Sequence, residues 1–205
     1  LEVIEEIFVF DDFSTDDTFA LAQRMEQAPE WAKKLRAYRN AKNVGYGGNQ
    51  KIGFEYARKK GMDYVILLHG DGQYAPEFLP DLIFEAVERK KDVVFGSRMM
   101  DRWLALRGGM PFYKWIGNAV LTHFENLLLG LNLTEFHSGY RLYSTKVLER
   151  IPYLANVDGF PFDTEIVIQC RALGVVPHEI SIPTYYGNEI CRVEGMKYAT
   201  SICLA

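Results

Sequence analysis

Two polar clusters hold most of the chemistry this chain can offer: Asp11-Asp12, and the stretch His69-Gly70-Asp71-Gly72-Gln73. Carboxylate, amide and carbonyl oxygens suit hard divalent cations such as Mg²⁺ or Mn²⁺, which keep part of their water shell and bridge protein to phosphate. Asp71 and Gln73 stand on alternate positions and can face one ion, to which His69 adds an imidazole that Mn²⁺ tolerates better than Mg²⁺. Such an ion lets an acidic cleft receive a nucleotide diphosphate, whose charges bare carboxylates would repel. Asp11 and Asp12 suit hydrogen bonds to a base or ribose, as acidic residues make in other open α/β sheets. Both clusters have plainer readings, since Asp71-Gly72 makes a turn and Asp is common at helix starts.

These residues need strand ends to hold them. Ile7-Phe8-Val9-Phe10 is a short apolar run that stops at Asp11-Asp12, and Ser14 with Asp17 can open a helix from Thr18 to about Gln27 as a capping box. Leu35 to Tyr38 makes a second strand, and the loop Asn43-Val44-Gly45-Tyr46-Gly47-Gly48-Asn49 leads to a helix from about Gln50 to Lys60. Asn43, Gly45, Gly47 and Gly48 let backbone approach a nucleotide, although the segment matches neither the phosphate-loop pattern nor the dinucleotide fingerprint. Asp63 to Leu68 is the most strand-like run, followed by a helix from about Pro76, and Asp92 to Phe95 makes a further strand that ends at Gly96-Ser97-Arg98.

Strands alternating with helices predict an α/β domain, a mostly parallel sheet with right-handed crossovers and helices on both faces. Ligands of such sheets gather outside the carboxyl ends of the strands, where Asp11, Asp12, His69, Asp71, Gln73 and Arg98 all fall. From Pro111 to about Leu131 a helix is apolar nearly all round, which predicts burial on two sides, a homo-oligomer contact or a place at a membrane surface. Asp163 to Leu173 reads as a helix, and Val175 to Tyr185 as an edge strand interrupted by Pro177 and Pro183, the two expected to cover the mouth of the cleft.

With 205 residues, 48% of them hydrophobic, one core and one domain are the natural reading. The net charge of −4 comes from mixed signs without a basic stripe, which argues against a nucleic-acid partner. Cys170, Cys191 and Cys203 are odd in number and spaced neither as pairs nor as metal ligands, which fits a reducing compartment. No uninterrupted apolar run is long enough to span a bilayer. The start at Leu1 and the apolar end at Ala205 suggest a trimmed, longer gene product.

Taken in order and spacing, Asp11-Asp12-Phe13-Ser14-Thr15-Asp16-Asp17-Thr18, Asn43-Val44-Gly45, His69 to Gln73, Gly96-Ser97-Arg98 and Ser138-Gly139-Tyr140-Arg141 resemble the family 2 glycosyltransferases of the Rossmann-like GT-A fold. Within that family the chain is most similar to the polyprenyl-phosphate glycosyltransferases, and the resemblance covers nearly its whole length. It implies that Asp11 and Asp12, beside the Asn43 to Gly48 loop, contact the donor nucleoside, and that His69, Asp71 and Gln73 bind the metal and donor phosphates. It implies that Arg98 meets a phosphate, with Arg141 and the stretch Phe162-Asp163-Thr164-Glu165 on the acceptor side. There are three departures. His69 stands for a carboxylate of the metal motif, Glu135 for a shorter acid, and the family's opening strand does not precede Leu1.

The implied activity is transfer of a hexose from a nucleotide-sugar donor to a lipid-phosphate acceptor, with inversion, by a protein that is cytoplasmic and peripheral at the inner face of the cell membrane. A phosphate acceptor arrives ionised, so positioning and charge neutralisation suffice. A sugar hydroxyl would instead need a base, for which Glu135, Asp163, Glu165 or His137 are the candidates. A nucleotide-sugar binding domain without catalysis is the reading from a different class.

Overall fold

The computed structural model describes residues 3–183, 185 and 186. Its elements are β1 (Ile7–Asp11), α1 (Thr18–Gln27), β2 (Leu35–Arg39), α2 (Tyr46–Lys59), β3 (Tyr64–Leu67), α3 (Leu79–Val87), β4 (Val93–Ser97), α4 (Arg102–Arg107), α5 (Phe112–Leu129), β5 (Arg141–Ser144), α6 (Thr145–Leu148), α7 (Phe162–Ala172) and β6 (His178–Ser181). Cys191, Cys203 and the apolar end of the chain lie outside the described residues. Cys170 is a free, buried thiol.

The α/β alternation runs as predicted through β4. Two ladders form: β1 pairs in parallel with β2, and a second sheet has the order β3-β5-β4-β6. Within it β4 and β6 are parallel, but β5 runs antiparallel to both β3 and β4, which corrects the expectation of a mostly parallel sheet. The register shows why. Arg141, the first residue of β5, lies opposite Phe95 near the end of β4 and Leu67 at the end of β3. The long excursion through α4 and α5 therefore stays at the carboxyl end of the sheet, and β5 must start there and run back.

Alternate residues of each strand point to opposite faces, and the core divides accordingly. Val93, Phe95 and Tyr143 join Phe54 of α2, Val147 of α6 and Phe162 and Ile166 of α7 in one cluster. Val94 and Leu142 join Leu82 and Ala86 of α3 in another. Helices thus cover both faces of the central sheet, as the apolar β4 run, buried at all five positions, requires. Burial of these side chains, worth about 2 kcal/mol each, is the main force that assembles the strand ends into one site.

Between the two sheets lies a cavity of about 2700 Å³. Every residue of β1 and β3 lines it, with Gly53, Phe54 and Ala57 of α2 on one side and Leu79, Ile83 and Ala86 of α3 on the other. Among the described residues, β1 pairs only with β2 and β3 only with β5, so each strand has an open edge. The middle of this cavity is apolar, and its polar end holds Asp12, His69, Asp71, Gln73 and Arg98.

Several local expectations change. The capping box at Ser14 and Asp17 does not form: Asp17 caps α1 without a side-chain bond, and the Thr18 amide donates instead to Asp16 at 3.0 Å. Helix α2 begins at Tyr46 rather than near Gln50. The edge strand read from Val175 to Tyr185 shrinks to β6, because Pro177 and Pro183 lack the amide that a ladder needs. The largest change concerns α5. Its buried residues are Thr122 and Glu125, while Tyr113, Val120, Leu127 and Leu128 are each more than 60% exposed. A helix buried on two sides is excluded; its polar stripe faces the protein and its apolar stripe faces out.

Candidate functional site

Asp11 and Asp12 lie at the end of β1, where their carboxylates organise the chain around them. Asp11, 4% exposed, accepts from the Ser14 amide at 3.2 Å and pairs with Arg39 at 3.3 Å. Asp12 accepts from the amides of Val44 at 2.8 Å and Gly45 at 3.0 Å and from the Asn40 amide nitrogen at 2.9 Å. Asn43 returns a bond to the Asp12 carbonyl at 3.0 Å. Asp12 thus ties β1 to the start of α2, at the helix end where a negative charge is favoured.

The glycines of this loop have a different task from the one expected. Gly45 adopts φ +83°, and a Cβ there would come within 2.6 Å of the Asp158 carbonyl. A Cβ on Gly47 would stand 2.6 Å from the Val157 carbonyl and 2.7 Å from the Phe162 Cβ. Gly48 is tight against Val44. They let α2 approach the 157–162 segment closely, a packing role that the sequence reading did not foresee.

His69 follows β3 and packs against Gly139, where a Cβ would meet the ring at 2.2 Å from Cε1. Tyr46 and Tyr74 stand edge-on to the same ring. Burial holds the imidazole below its ordinary pKa, against the opposing pull of Asp163 and Asp71. Asp71 and Gln73 are on the loop beyond, where the Gln73 amide donates to the Asp71 carboxylate at 3.1 Å. Asp71 is exposed and faces the cavity. Among the described residues no three His, Cys, Asp or Glu side chains converge as a closed metal cage. An open set of Asp71, His69 and Gln73 suits an ion that keeps waters and takes the rest of its shell from phosphate.

Arg98 and Glu135 form a buried pair. Arg98 is 7% exposed and Glu135 1%. Arg98 donates its backbone amide to Glu135 at 2.7 Å, its Nε at 2.9 Å, and its Nη2 as well. Asn118 of α5 adds a fourth donor at 2.7 Å. Burial pushes the Glu135 carboxyl up, but the Arg98 guanidinium and its hydrogen bonds outweigh it and hold the group below its usual range. Glu135 is therefore not poised as a base. Arg98 keeps Nη1 toward Tyr186 at 3.2 Å and still lines the cavity.

Arg141 has a role other than the one the resemblance implies. It is fully buried and spends its donors on the Ser138 carbonyl at 2.7 Å, the Asp163 carbonyl at 3.0 Å, the Tyr143 hydroxyl at 3.2 Å and the Phe136 carbonyl. It cannot reach a ligand from there; it braces the loop that carries Gly139. The other candidate bases are also engaged. Asp163 accepts from Tyr46 at 2.7 Å and Gln50 at 3.3 Å, Glu165 accepts from the Val157 amide at 2.8 Å, and His137 lies 3.2 Å from the buried Glu125.

The cavity brings together Asp11, Asp12, His69, Asp71, Gln73, Arg98 and Asp163, while Asn43, Gly45, Gly48, Glu135 and Arg141 stand behind its walls. Three wall residues escape sequence reasoning: Tyr46, Lys114 and Asn118. Tyr46 sits in a segment read as loop, and Lys114 and Asn118 in a helix read only for its apolar stripes, so nothing local singles them out.

Replacing Glu135 by Gln leaves the buried Arg98 charge uncompensated. We expect about 3–5 kcal/mol lower stability in urea denaturation at pH 7. A carboxyl with a lowered pKa contributes stability above the ordinary carboxylate range and loses it as pH falls through its native value. The Glu135→Gln difference should accordingly shrink below about pH 4; a constant difference across pH contradicts the charge pairing.

Residues 4–152 match glycosyl transferase family 2. Over 194 residues the chain is 29% identical to the polyprenol monophosphomannose synthase of Mycolicibacterium smegmatis, a match covering 93% of this chain and 69% of that protein. It is 32% identical over 191 residues to the undecaprenyl-phosphate mannosyltransferase of Micrococcus luteus, covering 90% of this chain and 73% of that one. Among solved structures it resembles mannosyl-3-phosphoglycerate synthase from Rubrobacter xylanophilus, with a TM-score of 0.70 at 14% identity over 97% of this chain and 61% of that one. It also resembles glucosyl-3-phosphoglycerate synthase from Mycobacterium tuberculosis, solved with Mn²⁺ and UDP-glucose, with a TM-score of 0.62 at 15% identity over 98% of this chain and 66% of that one. The chain thus spans less than two thirds of those two solved structures, which at such identities speak to fold alone. By the family match, the relatives and the shared fold together, the chain belongs to glycosyl transferase family 2 and is a glycosyltransferase of the GT-A type.

Proposed function

We propose that the protein transfers a hexose from a UDP- or GDP-sugar to a polyprenyl phosphate, with inversion at the anomeric carbon, at the inner face of the cell membrane. The observation that carries this reading is the state of the candidate bases. Glu135, Asp163 and Glu165 each hold internal partners, so an acceptor that must lose a proton finds no free carboxylate among them. A phosphate needs none. The relatives named for polyprenol and undecaprenyl-phosphate substrates point the same way.

In this reading Asp71, with His69 and Gln73, holds a divalent cation, and Asp11 and Asp12 lie beside the donor nucleoside. A bound Mg²⁺ or Mn²⁺ would supply Lewis-acid stabilisation to the departing diphosphate. Arg98, its charge oriented by Glu135, lines the cavity beside Tyr186 and would attract the acceptor phosphate, and Lys114 adds a second cation to the lining. Asp71→Ala removes an exposed side chain bonded only to its own loop. Titration of UDP and GDP with Mn²⁺ should show coupled binding that this variant loses with its circular dichroism unchanged. Full binding and transfer by the variant would sink the assignment, and no nucleotide binding by the parent chain would favour a domain without catalysis.

The outward apolar stripe of α5 supports a lipid surface as the protein's resting place. Among the described residues no helix is long and apolar enough to cross a membrane. Phe112, Tyr113, Val120, Leu127 and Leu128 with Trp103 of α4 form an exposed apolar face, and Arg102, Arg107 and Lys114 supply cations around its start. Aromatic and aliphatic side chains flanked by basic ones fit the boundary of an anionic bilayer. The double variant Leu127→Glu/Leu128→Glu should lower partitioning into anionic vesicles at least tenfold with an unchanged melting temperature. Equal sedimentation with vesicles would refute the stripe as the contact, and a concentration-dependent mass lost in the variant would indicate a homo-oligomer.

We place in the slot between β1 and β3 the opening strand that the family resemblance implies. The open edges of both strands and the apolar walls from α2 and α3 support a run of about five apolar residues, buried on both faces. Lengthening the chain upstream of Leu1 with its own reading frame should slow amide exchange along β1 and β3 at least tenfold. Unchanged exchange on both strands contradicts this placement.

A further inference from the structure

The imidazole of His69 stands where the family resemblance leads one to expect a carboxylate, and its surroundings decide which of its nitrogens can serve a ligand. Its Nε2 lies 3.2 Å from the Tyr46 hydroxyl. That hydroxyl lies 2.7 Å from Oδ2 of Asp163. Asp163 accepts a second bond from Gln50 at 3.3 Å on its other oxygen and faces the Arg141 guanidinium at 3.8 Å, so both of its oxygens act as acceptors. A phenol carries a single proton, and the carboxylate takes it. Toward His69 the Tyr46 oxygen can then only accept, so Nε2 must carry the ring proton of a neutral imidazole. Nδ1 is left as the bare lone pair.

We propose that Tyr46, anchored by Asp163, is a positioning residue that locks His69 in its Nε2–H tautomer and thereby presents Nδ1 as the imidazole donor to the cation held at Asp71. The assignment rests on the metal-site reading given above. Ring orientation is fixed as tightly as the tautomer. Gly139 leaves room for the ring, since a Cβ there would stand 2.2 Å from Cε1 and 2.5 Å from Nε2, while Tyr46 and Tyr74 flank it edge-on with centroids at 5.5 and 5.4 Å. The chain of donors runs from His69 through Tyr46 to Asp163, and thus from the end of β3 through the first turn of α2 to the start of α7. A ligating histidine that hands its second N–H to an oriented acceptor is a better and more selective ligand, and loss of such a partner lowers metal affinity by about 10- to 100-fold.

Long-range ¹H–¹⁵N correlation spectra of the four histidines, with His69 assigned by His69→Asn, report the tautomer without any metal. We expect the Nε2–H form in the parent chain and a mixture, or the Nδ1–H form, in Tyr46→Phe. Binding of Mn²⁺ alone, followed by the electron paramagnetic resonance of the free ion, should weaken about 10- to 100-fold in Tyr46→Phe. In a His69→Asp background a carboxylate needs no tautomer, so adding Tyr46→Phe there should leave Mn²⁺ affinity within about twofold. An Nδ1–H tautomer in the parent chain, or an equal loss from Tyr46→Phe in both backgrounds, overturns the assignment. Mn²⁺ binding that Asp71→Ala leaves unaltered instead overturns the metal-site reading, and with it this use of Nδ1.

Discussion

The buried carboxylate of Glu135 is the point on which the functional end of the molecule depends. Four donors converge on it, three from Arg98 at the end of β4 and one from Asn118 on α5. Its own backbone is held from below, since Glu179 of β6 accepts from the amides of Thr134 at 2.7 Å and Glu135 at 3.0 Å. Without Glu135, a guanidinium 7% exposed would sit in the protein with no counter-charge, at a cost of several kcal/mol. One side chain therefore sets the place of an arginine and a helix, while the backbone that carries it is tied to an edge strand.

A second brace holds the opposite wall. Arg141 ties the Ser138 and Phe136 carbonyls to Asp163 at the start of α7, and this fixes the backbone of Gly139 against which His69 lies. The two arginines, both prominent in the sequence motifs, thus divide their work. Arg98 retains an edge toward the cavity, and Arg141 has none. The difference follows from how many carbonyls surround each guanidinium. Five rigid N–H donors that meet backbone acceptors on all sides make a structural tie, not a ligand contact.

Helix α5 inverts the usual arrangement of a surface helix. Asn118, Thr122 and Glu125, spaced by four and three residues, turn inward, where Asn118 donates to Glu135 and accepts from Thr122, and Glu125 accepts from Thr164. The stripe of Tyr113, Ile116, Val120, Phe124 and Leu127 faces out. A helix whose polar side is needed to line a charged cleft must present its apolar side elsewhere. That geometry gives an exposed apolar surface on the same helix whose Lys114 and Asn118 line the cavity.

The strand ends and the order of β1 through β4 were legible in the sequence, because apolar runs of four to six residues closed by Asp, His or Arg carry their own period and punctuation. So was the placing of His69, Asp71 and Gln73 just beyond a strand end, where the structure has them line the cavity. What only the tertiary structure decided is which charges are free. Asp12, Glu135, Asp163 and Arg141 read as available groups in one dimension, and each proved to be hydrogen-bonded or ion-paired to partners 22 to 117 residues away. The direction of β5, the inward face of α5 and the proton of His69 were hidden for the same reason. Each is set by contacts between elements remote in the chain, and a local pattern records what a residue can do, not which neighbour has already claimed it.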